Sequence, residues 1–278
     1  MMGDRQDSSL DIANISHREE SDVSLGAAVY PAGVVTFVNR KGKPGGAGGR
    51  RGVCLGFSPG ARRRMRKRLV LYHWRDLICQ RRVLWISLTA RDGAVVEFKR
   101  WLDTFCKRLL RRWPGAWLTW RLEYQRRGVA HFHCLVVLPS CGQRFSCQKW
   151  VIPTWIDIAG PKNTAPDAQD CRRVHSINGI AAYITDGCKV VQSEVQCNPV
   201  TGELEMPGRW WGQRGRSNES RCRCMPRMVY GRGEFYFVRD LCGGIRRDRY
   251  EAIGRPRPFR RVKDAVEFFD TTILDGFL

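Results

Sequence analysis

The chain has 278 residues, enough for one large domain or two small ones, and 43% of them are apolar, so a hydrophobic core can form. Its 48 Lys and Arg residues against 27 Asp and Glu residues give a net charge of +21, which predicts a polyanionic partner, with nucleic acid ahead of an anionic membrane. No apolar run approaches the roughly 18 residues of a membrane span, and no basic start precedes an apolar block. We therefore expect neither a membrane protein nor a secreted one.

The first 52 residues are predicted to be disordered or weakly structured. They are polar and acidic at first and end in the Gly-rich basic stretch NRKGKPGGAGGRRG, which is typical of a linker. The short run AAVYPAGVVTFV between these parts fits either a strand or no regular structure. At Ser58 the pattern changes, because a Ser-Pro pair opens SPGARRRMRKRLVLYHW as it would open a helix. We expect a strongly basic helix with Met65, Leu69 and Tyr72 at helical spacing.

A strand, a helix and two more strands are predicted next. The stretch RVLWISLTA (82–90) has the β-branched and aromatic content of a strand. The clearest helix is AVVEFKRWLDTFCKRLLRRWPG (94–115), whose apolar residues form one stripe and which ends at Pro-Gly. The stretches AWLTWRLEYQ (116–125) and VAHFHCLVVL (129–138) are predicted to be strands joined by a turn at Arg126, Arg127 and Gly128.

The remaining elements are predicted from weaker patterns. The Trp-rich stretch KWVIPTWIDIAG (149–160) indicates a short helix, and SINGIAAYITDGCKVVQ (176–192) indicates a second one that contains a glycine. Residues 193–235 are rich in Gly, Arg and Cys. Near the C-terminus, VKDAVEFFDTTIL (262–274) has the pattern of an amphipathic helix.

The predicted hairpin brings candidate metal ligands together. If its turn is centred on Arg127, residues equidistant from that position face each other, so Glu123 lies opposite His131. Strand alternation then places Glu123, His131 and His133 on one face of the sheet. Two imidazoles and a carboxylate leave open positions on a divalent ion, which is typical of a catalytic rather than a structural site. The alternative is a pair of half-exposed surface histidines.

A tyrosine further along the chain is a candidate nucleophile. The basic composition makes a phosphodiester the natural substrate for such a metal site. Tyr183 lies in the helix predicted at 176–192. A tyrosine oxygen can form a phosphodiester with a DNA end and so conserve the bond energy for rejoining. The alternative for Tyr183 is the edge of an amphipathic helix that packs on the core.

These motifs resemble those of a known family. The pattern ExQRRGxxHFH (123–133), preceded by WISLTA and followed by a helix with a tyrosine, resembles the HUH endonucleases, the rolling-circle replication initiators of small plasmids and single-stranded DNA phages. The filamentous-phage type is the most similar. Its blocks appear in order as FSPGARRRMRKRL, RWLDTFCKRLLRRWPGAWLTWRLEYQRRGVAHFH, KWVIPTWIDIAG and GRWWG, over about residues 57–215. The central block is specific, and GRWWG is a weaker marker.

The resemblance implies a fold and a division into domains. The fold would be α+β, with a central antiparallel sheet and flanking helices in a ferredoxin-like or RRM-like HUH core. Residues 53–215 would form the endonuclease domain. Residues 216–278 would form a C-terminal extension packed on or beside it.

The resemblance also implies a reaction. His131, His133 and Glu123 would bind Mg²⁺ or Mn²⁺, and the cation would polarise the scissile phosphate. Tyr183 would nick one DNA strand, keep the 5′ phosphate, and free a 3′ hydroxyl for a polymerase, with later rejoining of the strand. Imidazole ligands favour Mn²⁺ in affinity, whereas cellular availability favours Mg²⁺.

One position departs from the family pattern. The family usually carries a lysine three or four residues after the tyrosine, where this chain has Asp186 and Gly187. Lys189 follows six positions after Tyr183, about 120° round an ideal helix. We expect Lys189 to replace the usual lysine if the helix breaks at Gly187.

Other tyrosines remain as alternatives to Tyr183. Tyr230 and Tyr236 are the fallback nucleophiles. Tyr124 is predicted to point away from the face that carries the histidines. No second tyrosine lies within one turn of Tyr183, so a single-tyrosine enzyme is expected.

The basic residues predict where DNA would lie, and the reaction predicts the partners. For the basic run at 62–68, the alternative to a DNA-binding surface is a solvated basic face. The residues predicted to contact DNA phosphates are Arg62, Arg63, Arg64, Arg66, Lys67, Arg68, Arg126 and Arg127. The sequence has no P-loop, so a host helicase and a host DNA polymerase are expected partners, in the cytoplasm of a bacterial host cell.

Two other functions stay open at this point. The first is a non-catalytic nucleic-acid-binding protein that keeps the fold but has lost the tyrosine chemistry. The second is a single-tyrosine transposase-like or relaxase-like relative, which would join DNA ends rather than prime synthesis.

Overall fold

The protein is described by a computed structural model, which covers residues 23–40, 56–125, 127–176, 206–215, 222–230, 232–252 and 266–268, and the single positions 197, 202 and 204. The described residues form an α+β fold with two antiparallel sheets and flanking helices, which confirms the predicted fold class. The strands are β1 (Val23–Tyr30), β2 (Gly33–Arg40), β3 (Val83–Thr89), β4 (Trp117–Tyr124), β5 (Ala130–Val137), β6 (Asp170–Arg173), β7 (Trp211–Arg214), β8 (Arg227–Tyr230) and β9 (Val266–Phe268). The helices are α1 (Pro59–Leu69), α2 (Trp74–Cys79), α3 (Val95–Arg112), α4 (Arg144–Ala159) and α5 (Arg232–Ala252).

The larger sheet has the strand order β6-β3-β5-β4-β7, and the smaller one has the order β8-β1-β2-β9. In the larger sheet, β5 is central and pairs antiparallel with β3 on one side and with β4 on the other. None of the helices in the described ranges is both long enough and apolar enough to cross a bilayer.

One face of the larger sheet is an aromatic core beneath α3 and α4. Phe132 on β5 is fully buried and meets Phe98 of α3 and the ring of Trp120. Trp155 of α4 is also fully buried, packs edge-on against Phe105, and donates its indole N–H to the carbonyl oxygen of Thr89 at 2.8 Å. Burial of these large side chains supplies most of the driving force for this layer.

The other face of the larger sheet carries aromatic side chains at one end of its strands and polar side chains at the other end. At one end, Tyr72 and Trp74 cover the ring of Trp117, with ring centroids 4.6 and 5.7 Å from it. At the other end, this face carries the polar side chains of β3, β4 and β5, including the predicted metal ligands. The same face is therefore covered by aromatic side chains at one end and carries polar side chains, including the predicted ligands, at the other.

The strongest local patterns are confirmed. The strand at 82–90, the helix at 94–115 and the two strands of the hairpin correspond to β3, α3, β4 and β5. The basic helix is also confirmed: Ser58 caps α1 by accepting a hydrogen bond from the amide of Ala61 at 3.2 Å. Met65 and Leu69 are buried on this helix, but Tyr72 lies beyond its end, in an isolated bridge with Arg223.

Three predictions need correction. The disorder predicted for residues 1–52 is wrong for residues 23–40, which form the hairpin of β1 and β2. The helix predicted at 262–274 is wrong for residues 266–268, which form β9. Both errors have the same cause, because β1 pairs with β8 and β2 with β9, and these partners are too far apart in sequence for a local pattern to reveal them. The helix predicted at 149–160 starts earlier, and α5 was not predicted.

Gly215 closes the end of β7 against β4, and its substitution should destabilise the protein. Gly215 has a φ of +78°, and an added Cβ would lie 2.6 Å from the carbonyl oxygen of Ala116 and 2.9 Å from Cα of Trp117. We expect Gly215→Ala to lower the free energy of unfolding by about 2–5 kcal/mol, from the backbone strain and the clash together. Urea denaturation measures this change. Gly142→Ala is the control, because its Cβ would enter open space, and an equal loss in both variants would contradict the prediction.

Candidate metal centre

The register of the hairpin brings the candidate ligands together. Glu123 pairs with His131, and Arg121 pairs with His133, as the turn at Arg127 predicted. Glu123 and Arg121 are buried, while the two imidazoles keep partial exposure. The three predicted ligands therefore share one face at the open end of the sheet.

The donor atoms of these side chains have the spacing of neighbouring metal ligands. The Nε2 atoms of His131 and His133 are 3.1 Å apart, and Nε2 of His133 is 3.3 Å from Oε2 of Glu123. Adjacent ligands at about 2.1 Å from an octahedral cation are about 3 Å from each other. Taken as groups of three or more, no His, Cys, Asp and Glu side chains in the described ranges are already arranged to hold a metal ion, and this includes His131, His133 and Glu123. Two of the three donor pairs have the spacing of adjacent ligands, and mixed nitrogen and oxygen donors are a set that divalent cations such as Mn²⁺ accept.

Arg121 is the closest charged neighbour of these ligands. Its side chain is fully buried, and its Nη2 donates to Oε1 of Glu123 in an ion pair. Glu123 thus presents one carboxylate oxygen to Arg121 and the other to His133. Arg121 was not among the residues predicted for the site. Strand alternation places Arg121 on the same face as Glu123 and the histidines, so its position near the ligands could have been predicted from the sequence.

Strand β3 contacts the second ring nitrogen of His133, Nδ1, and fixes the orientation of the imidazole. Nδ1 of His133 lies 3.1 Å from Oγ of Ser87, which also accepts a hydrogen bond from the indole N–H of Trp85 at 3.2 Å. The Trp85 ring stacks on the imidazole with centroids 4.8 Å apart. A hydroxyl oxygen has two lone pairs, so Ser87 can accept from both partners. With its proton on Nδ1, His133 has a free Nε2 lone pair, which is the tautomer that binds a cation.

His131 is held in its neutral form. Burial, followed by the neighbouring His133, lowers the pKa of His131 to about 3, although Glu123 acts in the opposite direction. Its Nδ1 is buried and has no hydrogen-bond partner within the described ranges. A neutral imidazole is the form that a metal site requires.

Removal of the Ser87 hydroxyl should weaken metal binding without unfolding the protein. We expect Ser87→Ala to lower the affinity for Mn²⁺ by about 10–100-fold, because Nδ1 of His133 loses the partner that fixes its tautomer. Isothermal titration calorimetry measures the affinity. Ser140→Ala removes an exposed hydroxyl that makes no capping hydrogen bond and serves as the control. Unchanged Mn²⁺ affinity in Ser87→Ala would contradict the role assigned to Ser87.

The turn of the hairpin is tied to the end of β3. Gln125 donates its side-chain amide to Oγ1 of Thr89 at 2.8 Å, and Arg127 donates from Nε to Oε1 of Gln125 at 2.8 Å. Arg127 also donates from Nη2 to the carbonyl oxygen of Ala90 at 2.7 Å, yet the residue remains exposed. Its predicted contact with DNA stays a prediction. Arg126 lies outside the described residues.

Helix α1 lies along the same face as the candidate ligands. The ring of Phe57 lies between two guanidinium groups, 5.5 Å from that of Arg62 and 5.1 Å from that of Arg121. At the other end of α1, Nε of Arg68 donates to Oε1 of Gln213 on β7 at 2.9 Å. Of the α1 residues predicted to bind DNA, one is exposed and the rest are partly buried. The exposed one is Arg64, and the partly buried ones are Arg62, Arg63, Arg66, Lys67 and Arg68.

Tyr183, the predicted nucleophile, lies outside the part of the chain that the structure describes. Lys189, the predicted replacement for the family's lysine, also lies outside it. The prediction for Tyr124 is confirmed, because it is buried on the opposite face against Trp210, with ring centroids 5.8 Å apart. Of the fallback tyrosines, Tyr236 is 44% exposed on α5, and Tyr230 ends β8 in the smaller sheet.

The chain is similar to a protein named for replication. The chain is 29% identical over 170 residues to a protein of Xylella fastidiosa (strain Temecula1 / ATCC 700964) whose name is "Putative replication protein PDa0002". The match covers 59% of this chain and 62% of that protein, so less than two thirds of the relative is spanned. No protein-family model matches the chain, and no solved structure matches it.

Proposed function

We propose that this protein initiates rolling-circle DNA replication by nicking one DNA strand with a tyrosine, with the help of Mg²⁺ or Mn²⁺. The observation that carries the proposal is the spacing of the His131, His133 and Glu123 donor atoms on one face of the sheet. The net charge of +21 and the position of α1 beside that face support a DNA substrate. The similarity to a protein named for replication supports the biological role.

The proposed reaction exchanges one phosphate ester for another. The phenol oxygen of Tyr183 attacks the phosphorus of the scissile phosphodiester, and the bond from phosphorus to the 3′ oxygen breaks. The phenol gives up its proton, and the departing 3′ oxygen takes one up. The products are a 5′-phosphotyrosine adduct and a free 3′ hydroxyl. Because the ester bond energy is conserved, attack by a 3′ hydroxyl on the adduct rejoins the strand without a nucleotide cofactor.

We assign the following roles to the described residues in this reaction. His131, His133 and Glu123 would hold the divalent cation, which when bound supplies polarisation of a non-bridging phosphate oxygen. Ser87 keeps His133 in the ligating tautomer through Nδ1. Lys189 is proposed to take the place of the lysine that usually follows the family's tyrosine.

The proposed DNA contacts and partners follow from the same reaction. The DNA backbone would lie along α1 and the hairpin turn, where Arg64 and Arg127 are exposed. Because the sequence has no P-loop, a host helicase would unwind the duplex, and a host DNA polymerase would extend the 3′ hydroxyl. The setting would be the cytoplasm of a bacterial cell that carries a small plasmid or a phage.

A covalent-adduct assay tests the proposal. The protein is incubated with labelled single-stranded DNA from the origin region of its own element, with Mn²⁺ or with EDTA, and separated on a denaturing protein gel. We expect label on the protein with Mn²⁺, none with EDTA, and none with Tyr183→Phe. Tyr236→Phe is the matched control and should keep the adduct. An adduct lost in Tyr236→Phe and kept in Tyr183→Phe would move the nucleophile to α5.

A non-catalytic binding protein is the second candidate, and the departure at Asp186 and Gly187 favours it. Such a protein would bind the same DNA with a strong dependence on salt, but no origin fragment would become linked to it. A transposase-like relative would form the adduct. It differs in the fate of the 3′ hydroxyl, which would be joined to a second DNA end rather than extended when a polymerase and nucleotides are added.

A further inference from the structure

Among the described residues, the candidate metal centre holds one buried positive charge and one buried negative charge. Arg121 is fully buried, Glu123 is nearly so, and the two form an ion pair. The ligating histidines contribute no charge in their neutral form. A divalent cation that enters this site alone would add two positive charges to this ion pair, at a place where charge is poorly solvated.

The positive charge of Arg121 cannot be removed or moved away easily. A guanidinium stays protonated in proteins, unlike a buried lysine, which can lose its proton. The Arg121 side chain is held on one side by the Glu123 carboxylate and on another by the ring of Phe57. Arg121 therefore acts as a fixed counter-charge that competes with the cation for Glu123.

A DNA phosphate bound beside the cation would supply negative charge that offsets it. We propose that Arg121 makes cation binding at Glu123, His131 and His133 conditional on a DNA phosphate, so that metal and DNA bind cooperatively. This inference rests on the metal ligands of the proposed function. The ring of Phe57, shared by Arg121 and by Arg62 of α1, places the counter-charge next to the helix that would contact the DNA backbone.

The coupling can be measured without turnover. Mn²⁺ is titrated by electron paramagnetic resonance into the wild-type protein, alone and with oligodeoxythymidine, and the His133→Ala protein under the same conditions gives the background from DNA-bound Mn²⁺. We expect oligodeoxythymidine to tighten Mn²⁺ binding by about tenfold or more, as is usual for two coupled sites. By linkage, Mn²⁺ must tighten oligodeoxythymidine binding by the same factor, and fluorescence anisotropy measures this independently.

A pair of charge-matched variants assigns the coupling to Arg121. Arg121→Gln should bind Mn²⁺ more tightly than wild type in the absence of DNA, and DNA should then change the affinity by less than about twofold. Arg111→Gln removes the same charge from an exposed position on α3 and should keep the wild-type coupling. If Arg121→Gln fails to fold, Arg121→Lys replaces it; because a buried lysine can lose its proton when the cation binds, this variant should show weaker coupling than wild type, and undiminished coupling would overturn the role of Arg121.

The outcomes separate this inference from the proposed function. Mn²⁺ binding that His133→Ala leaves unchanged would overturn the metal centre itself. Mn²⁺ binding that depends on His133 but that DNA changes by less than about twofold would overturn the coupling and leave the metal centre standing. Coupling of equal size in Arg121→Gln and in wild type would also overturn the role of Arg121.

Discussion

Replacement of His133 by alanine should lower the rate of adduct formation by at least about a hundredfold. His133 is the central member of the candidate centre, since its Nε2 lies 3.1 Å from Nε2 of His131 and 3.3 Å from Oε2 of Glu123. Its loss removes one ligand and the contact that joins the other two. We expect His131→Ala to give a loss of similar size, because ligands of one cation act as a unit.

Single-turnover adduct formation with saturating DNA and Mn²⁺ measures this effect. His175→Ala is the matched control, because His175 is exposed in the loop after β6, and its rate should stay within about twofold of wild type. Circular dichroism of each variant establishes that the fold is intact. A His133→Ala rate within about threefold of wild type would remove the two histidines from the mechanism.

Replacement of Phe132 by alanine should lower the free energy of unfolding by about 3–5 kcal/mol. Phe132 stands between the two candidate ligands in sequence but points to the opposite face, where it is fully buried against Phe98 and Trp120. Truncation removes its buried ring and leaves a cavity that the surrounding aromatic side chains can fill only in part. A loss of this size is a large fraction of the stability of a typical domain, which is about 5–15 kcal/mol.

Urea denaturation followed by tryptophan fluorescence measures the stability change. Val96→Ala is the control, because Val96 is 55% exposed on α3, and its substitution should change the stability by no more than about 0.5 kcal/mol. A loss below about 1 kcal/mol for Phe132→Ala would contradict the core packing described for this face.

The pairing of Glu123 with His131 could be predicted because it depends on local rules. A short turn fixes the register of two adjacent strands, and the period of two along a strand fixes which face each side chain takes. These rules placed the three candidate ligands on one face and Phe132 on the other, and the structure agrees.

The surroundings of the ligands could not be predicted in the same way. Ser87 meets His133 only because β3 pairs with β5, while α3 and β4 lie between these two strands in sequence. Phe57 meets Arg121 only because α1 packs along the histidine face. In both cases the partner comes from an element with its own local pattern, and no local pattern states which other element it will contact.

The smaller sheet illustrates the same limit at a larger separation. The run AAVYPAGVVTFV fitted either a strand or no regular structure by itself, since an isolated hairpin is marginally stable in water. It is a hairpin here because β8 and β9, from the other end of the chain, pair with its two strands. The same pairing gives residues 266–268 the conformation of an edge strand, although their apolar spacing suited a helix.

By itself, the sequence determined the basic character of the protein, its strongest helices and strands, and the convergence of Glu123, His131 and His133 across one turn. These properties depend on composition, on periodicity and on contacts between neighbours along the chain. Only the tertiary structure decided that the ring of Phe57 packs on Arg121 and that Ser87 orients His133. Such contacts join side chains that packing brings together from separate elements, and the free energy that selects them belongs to the whole fold rather than to any one segment.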